Sequence, residues 1–388
     1  MKIAIIGAGP AGLYFALLAK KHNPDCDIQI YEQNPRGATY GWGVVFSDIG
    51  LGFLREADPE FFKTFVAHHE RCDYMEIVHR GERIQVQGNH FSRTARLDML
   101  QVLEGACLEA GVRIQHDRRI DDVDRLAQEV DMLVAADGSN SLVRTQFAEH
   151  FQPSFEQRRN KFAWYGTRQR FHPVSLIFRQ TGHGVFIAHS YQYSPELSTF
   201  LVEVDPDTWR RAGLNDASEQ ESRRYCADVF RHDLGANELL GNRSLWFEAK
   251  VVRNEHWTHR NIVLLGDALR TVHFSLGSGT RMAMQDAIAL HQGLKQCPDD
   301  VPAAFAVFES LRRTSSTNFQ AAASRSLDWY ENVADRMHLD PVSFAYDYMR
   351  RTGQVSHEDL RKRDPVFTAA YDARIERQAH RKDAQAIR

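Results

Sequence analysis

The chain has 388 residues, 43% of them hydrophobic, and a formal charge of −3 at pH 7. That length exceeds one small core and predicts two domains with an extension, while the near-neutral charge argues against nucleic acid or an anionic membrane as the main partner. The five cysteines (Cys26, Cys72, Cys107, Cys226, Cys297) are widely spaced, form no metal-type cluster and read as reduced thiols of a cytoplasmic protein. No stretch of about 18 apolar residues is present to span a membrane, and the apolar start at Ile3–Ile6 is too short for a signal peptide.

In chain order, Lys2 to Ile6 reads as a buried strand. Ala11 to His22 reads as a helix, with Leu13, Ala16, Leu17 and Lys20 at helical spacing, and Ile28 to Tyr31 as a second strand ended by Glu32. Leu97 to Ala110 predicts a helix after a turn-rich stretch, with Arg96 at its start. Val112 to Gln115 and Met132 to Ala136 are strands, the latter running into Asp137-Gly138 and a helix over Asn140 to Ala148. From Phe162 to Val204 apolar and polar residues alternate between turn residues, which predicts mostly antiparallel sheet. Ile262 to Leu265 returns to a buried strand, and Ser278 to Lys295 is a long helix. Helices follow over Pro302 to Arg336 and Pro341 to Arg351. The charged end, from about Ala373, reads as a solvated helix or frayed tail.

Three segments carry chemistry. Gly7-Ala8-Gly9-Pro10-Ala11-Gly12 lies between strand and helix. Gly7 permits the turn, Gly9 lets backbone approach a pyrophosphate, and Gly12 lets helix pack on strand. The helix start then offers N–H groups to the phosphates, and Glu32 accepts bonds from ribose hydroxyls. Alone, this marks NAD, FAD or S-adenosylmethionine sites. Asp137-Gly138, with Ser141 and Arg144, ends another buried strand, and Gly266-Asp267-Ala268 ends a third. Each aspartate has a plain alternative as a helix cap. In this order the three describe one FAD held along its length, with Asp267 on the ribityl hydroxyls. Arg96 is either a surface charge or a planar fork for the pyrophosphate. His273 to Thr280, rich in glycine, exposes N–H groups that stabilise negative charge on a reduced flavin. No second glycine fingerprint follows a strand, so NAD(P)H is expected to bind transiently.

With all three segments in order, the chain resembles group A flavoprotein monooxygenases, the fold of para-hydroxybenzoate hydroxylase. Narrower likeness lies in Gly41-Trp42-Gly43-Val44-Val45-Phe46-Ser47-Asp48, Trp164-Tyr165-Gly166-Thr167, Ala188-His189-Ser190-Tyr191, Ser198-Thr199-Phe200 and the stretch from His273 to Thr280. These resemble the salicylyl-CoA 5-hydroxylases and the monooxygenase half of 2-aminobenzoyl-CoA monooxygenase/reductase, as does the tail from Met337 to Pro365. The third motif departs from the wider family, with Arg270, Phe274 and Arg281 where histidine, proline and asparagine are usual. The reductase half of the fused enzymes is not expected here.

The resemblance implies an α/β fold. A Rossmann-like FAD-binding domain (residues 1–75, 95–150 and 255–300) holds an inserted, mostly antiparallel substrate domain (76–94 and 151–254), and a helical region follows (301–388). It implies FAD, bound tightly, with NADH or NADPH as transient co-substrate. O2 becomes a C4a-hydroperoxide, and an electron-rich aryl ring attacks it, with a CoA thioester such as salicylyl-CoA, hydroxylated at C5, as the expected substrate. The alternatives are a free or carrier-bound aromatic such as a tryptophan-like compound, or an FAD-dependent reductase or dehydrogenase. The expected cofactor residues are Gly7, Gly9, Pro10, Ala11, Gly12, Glu32, Val44, Val45, Arg96, Asp137, Gly266, Asp267, Gly277, Gly279 and Thr280. His189, Tyr193 and His273 are candidates to withdraw the ring substituent's proton. Trp42, Val44, Phe46 and Trp164 are expected to line or cover the flavin, or else to be ordinary core. No metal is expected. The chain is compatible with a homodimer.

Overall fold

The computed structural model describes all residues except 39, 40, 274, 275, 387 and 388. Among the described residues two sheets organise the chain. The six-stranded sheet runs Thr258–His259, Ile262–Leu264, Met132–Ala135, Lys2–Ile6, Asp27–Tyr31, Arg113–Gln115. Its pairings are parallel except for the first. Parallel strands need both faces covered, and their apolar runs follow: Met132, Leu133, Val134 and Ala135 are all buried. Helix Pro10–His22 packs on this sheet with every residue from Ala11 to Ala19 buried, so it is a core helix rather than a one-faced one.

The second sheet has nine strands, in the order Leu239–Leu240, Pro153–Thr167, Ser198–Val204, Val185–Gln192, Val174–Gln180, Glu70–His79, Glu82–Ala95, Gly43–Ser47, and Phe247–Asn254 also pairs with Pro153–Thr167. It is antiparallel except where Glu70–His79 meets Val174–Gln180. Its two faces feed different cores, as a period of two requires. Ile187 packs beneath Trp329, Tyr330 and Phe344 from the C-terminal helices, whereas neighbouring Ala188 joins Phe200, Cys226 and Phe230.

The fold corrects the sequence reading in two places. Arg96 follows the strand Glu82–Ala95, not a turn-rich stretch. The helix expected over 140–148 is two short ones, Leu142–Gln146 and Ala148–Phe151. Gly43–Ser47 and Glu70–His79 hydrogen-bond into the large sheet. The C-terminal region is helical, with Val301–Glu331, Pro341–Arg350, His357–Arg363 and Pro365–Ala386.

Candidate active site

The first strand stops at Gly7 because a side chain there has no room. Its φ is 104°, and a Cβ would lie 2.3 Å from the Ala136 carbonyl oxygen. Gly12 is tight for the same reason, since its Cβ would lie 2.3 Å from the Gly7 oxygen. Gly9 differs. A Cβ there would meet nothing within 4 Å, and Gly9 caps helix Pro10–His22 without a side-chain bond. Uncapped N–H groups at the helix start therefore face open space, which suits an anion. Glu32 ends the second strand as expected. Its Oε2 accepts from the Ala8 N–H at 2.8 Å and its Oε1 from the Asn34 N–H at 2.9 Å. Ala8, Gly9 and Glu32, with Arg36, Arg96 and Leu100, line a cavity of ≈ 590 Å³.

Asp267 follows the strand Ile262–Leu264 and is open to solvent from the cleft although protein surrounds it. Burial raises its carboxyl above the usual range, while Arg96 and Arg270 oppose that rise. Arg96 in turn is lowered by burial and held up by Asp267 and Tyr191. Asp267 and Arg96 thus lie near enough to influence each other, an acceptor that fits a polyol and a donor that fits a diphosphate. Helix Gly279–Gln296 also starts without a side-chain cap, and a Cβ on Gly279 would meet nothing within 4 Å. Gly277 packs against Val45, and Thr280 is half-buried in the helix's first turn. Phe274 and Ser275 lie outside the described residues.

In the middle segment Asp137 makes the helix-cap bond that the sequence reading held as its alternative role. Asp137 Oδ2 accepts from the Val143 N–H at 3.2 Å, a local cap. The buried Arg144 donates to the Ser139 carbonyl at 2.6 Å and to the Ala268 carbonyl at 2.9 Å. It ties the second segment to the Gly266–Ala268 turn. Arg270 is also structural: its Nη2 donates to Asp286 Oδ1 at 2.6 Å, which accepts from Arg312 Nε at 2.9 Å as well.

Across the cleft, one face of the large sheet forms a wall. Tyr191 donates to the Gly43 carbonyl at 2.8 Å, and the Gly43 N–H donates to Thr199 Oγ1 at 3.0 Å. The Trp164 ring packs on Gly41, the Trp42 ring on Gly166, and Tyr193 on Gly43. Trp42 Nε1 donates to the Trp164 carbonyl at 3.3 Å. These bonds fix the strand that carries Val44 and Val45 against the start of helix Gly279–Gln296. Phe46 is instead buried among Phe65 and His69 and belongs to the core.

Of the three proton-handling candidates, the structure groups two. His189 lies on the same sheet face as Tyr191, one pleat away. Its ring is 5.1 Å from that of Tyr330, and the Tyr330 ring is 6.5 Å from that of His273. Burial pushes His273 well below the usual imidazole range, aided by His189, Arg158 and Arg351. Tyr193 stands apart at the Gly43 end, its phenol pushed up to about 12 by burial and by Asp98. A neutral phenol at that position does not accept a proton near pH 7. Sequence reading missed Glu203, which is fully buried and bonded to His189 Nε2 at 2.8 Å. All seven residues of Ser198–Val204 are buried, its polar residues included. The missed signal is a lone carboxylate in the run Phe200-Leu201-Val202-Glu203-Val204.

Comparison with known proteins shows the family and the fold. The FAD binding domain family model matches residues 53–297, and an NAD(P)-binding Rossmann-like domain model matches residues 5–40. The chain is 37% identical over 382 residues to a salicyloyl-CoA 5-hydroxylase from Streptomyces sp, covering 96% of this chain and 73% of that protein. It is 34% identical to protodeoxyviolaceinate monooxygenase from Chromobacterium violaceum, covering 90% and 94%. The tetrameric form of 2-methyl-3-hydroxypyridine-5-carboxylic acid oxygenase shares the fold, with a TM-score of 0.69 at 15% identity over 92% of this chain and 95% of that one. The chain belongs to the FAD-dependent aromatic monooxygenases. It is a flavoprotein that uses FAD, NAD(P)H and O2 to hydroxylate an aromatic small molecule.

Proposed function

Within that family we propose that the substrate is an electron-rich aryl-CoA thioester, with 5-hydroxylation of a salicylyl-CoA as the leading case. One observation carries the proposal. The segments around Trp42, Trp164, Tyr191 and Thr199, far apart in sequence and likened to the CoA-ester hydroxylases, interlock on one wall of the cleft rather than in the cofactor cradle. The similarity to a salicyloyl-CoA 5-hydroxylase over 96% of the chain supports the same choice.

In this reading Gly7, Gly9, Pro10, Ala11, Gly12 and Glu32 hold the ADP half of FAD, and Arg96 holds the diphosphate. Asp267, on the Gly266 turn, takes the ribityl hydroxyls. Val44, Val45, Gly277, Gly279 and Thr280 flank the ring system. Asp137 acts indirectly, by setting the turn that Arg144 ties to Ala268. Bound FAD, reduced by NAD(P)H, supplies the oxygen-activating chemistry. The chain holds the aryl ring against the wall, and Trp42 and Trp164 shield that space from water. His189 accepts the proton of the ring hydroxyl or amino group, which raises electron density para to it; in a salicylyl ring the para carbon is C5.

A second reading, a free or carrier-bound aromatic, is favoured by the similarity to protodeoxyviolaceinate monooxygenase. NAD(P)H oxidation, O2 uptake and product mass, measured with salicylyl-CoA, free salicylate and tryptophan, separate the two. Hydroxylated salicylyl-CoA formed in proportion to NAD(P)H consumed is expected. Coupled turnover of the free acids alone would overturn the thioester reading.

A further inference from the structure

Glu203 is an acid inside a wall of aromatic and aliphatic residues, with its side chain fully buried. Burying an ionised carboxylate costs several kcal/mol unless its oxygens are satisfied. Both are. Oε2 takes His189 Nε2 at 2.8 Å, and Oε1 accepts from Asn160 Nδ2 at 2.7 Å. The pair is a diagonal one across neighbouring strands: His189 stands opposite Leu201, and Glu203 is two residues on, on the same face. An amide donor on one oxygen and an imidazole on the other match an acceptor-only carboxylate. In the neutral imidazole this places the proton on Nε2 and the lone pair on Nδ1.

We propose that Glu203 is a positioning residue for the hydroxylation step: it fixes the tautomer and ring orientation of His189 so that Nδ1 takes up the proton leaving the aryl hydroxyl or amino group. Asn160 holds the carboxylate in place. In the step, the substrate's O–H or N–H bond breaks, its electron pair stays on the ring substituent, and the proton bonds to Nδ1, giving an imidazolium stabilised by Glu203. The proposal rests on the reading of His189 as the proton acceptor. The other titratable or charged groups packed around the pair are Tyr330 from the long helix, Tyr348 and Arg351 from the following one and its C-cap, His273, and Arg158 from strand Pro153–Thr167.

The test uses flavin-loaded enzyme and an aromatic that the wild type hydroxylates. In Glu203→Gln, flavin content and substrate-stimulated flavin reduction should stay at wild-type levels. Product formed per NAD(P)H consumed should fall about tenfold, a modest part of what a positioned base contributes. The acid limb of the hydroxylation rate profile should also be displaced. The double variant with His189→Gln should be no worse than His189→Gln alone. An unchanged pH profile and coupling ratio, or fully additive losses, would overturn the proposal. If Glu203→Gln does not fold with flavin, Asn160→Ala serves: a displaced profile supports the role and an unmoved one overturns it. Failure of the thioester reading would appear separately, as a wild type that does not couple on the CoA ester.

Discussion

The two walls of the cleft are built on opposite plans. On the six-stranded side, the groups presented to the cleft are mostly backbone, exposed by Gly9, Gly279 and two helix starts that no side chain caps. On the nine-stranded side they are side chains: Trp42, Tyr191 and Thr199 are bonded to the backbone of Trp164 and Gly43, Trp164 packs on Gly41, and His189 is bonded to Glu203. Backbone recognition suits a ligand shared by a whole family, because it leaves few side chains to vary. Side-chain recognition suits a substrate that differs between members. Arg144 shows how the cofactor side is kept rigid: a buried guanidinium joins two turns 124 residues apart.

Substitutions can break that contrast. The largest effect should come from Gly7→Ala. Its Cβ would sit 2.3 Å from the Ala136 oxygen, so a loss of about 3 kcal/mol in urea-unfolding stability is expected, with loss of flavin. Gly9→Ala meets no atom within 4 Å, so it should leave stability intact while weakening FAD binding. If both variants behave alike in stability and flavin titration, Gly9 is not a ligand-facing position. Asp267→Ala should weaken FAD affinity by about 2 kcal/mol, the range of a charge-assisted hydrogen bond, without unfolding. Unchanged flavin affinity would remove it from the cradle.

The wall side makes a pH prediction. His273 is held neutral, well below the usual imidazole range, by burial and nearby positive groups. The unfolded chain therefore binds a proton there that the folded one refuses. Stability is full above pH 6.5 and falls as pH drops below it. In acid titrations followed by thermal melting, His273→Gln should flatten that fall by up to about 1.4 kcal/mol per pH unit. His69 and His291, each lowered to about 4 by burial, contribute in the same direction and remain in the variant. The smallest effect is Tyr191→Phe, which removes the donor to the Gly43 carbonyl. About 1 kcal/mol of stability should go, and product per NAD(P)H should fall several-fold while flavin content holds. Equal losses of flavin and coupling would mean that the wall and the cradle are not separable.

The cradle was readable because its physics is local. A buried strand, a glycine turn and a helix leave their period and their glycines in consecutive residues, and Lys2–Ile6 ends where the apolar run ends. The segment from 48 to 95 was not readable in the same way. Helices Asp48–Ala57 and Pro59–Val66 and the hairpin of Glu70–His79 with Glu82–Ala95 lie in it. That hairpin turns at Arg80-Gly81, both with positive φ, where Asn-Gly is the usual signal. The long strand beyond it is half exposed and lacks a clean alternation.

By itself the chain determined the cofactor and the class of chemistry. Glycines and strand-end acids constrain backbone within a few residues, and that constraint is written in sequence. Only the tertiary structure decided which side chains share a wall. Glu203 and His189 are 14 residues apart, and Trp42 and Trp164 are 122 apart. Their meeting depends on sheet register and on how the strand Gly43–Ser47 crosses to the second sheet, and no local period records either.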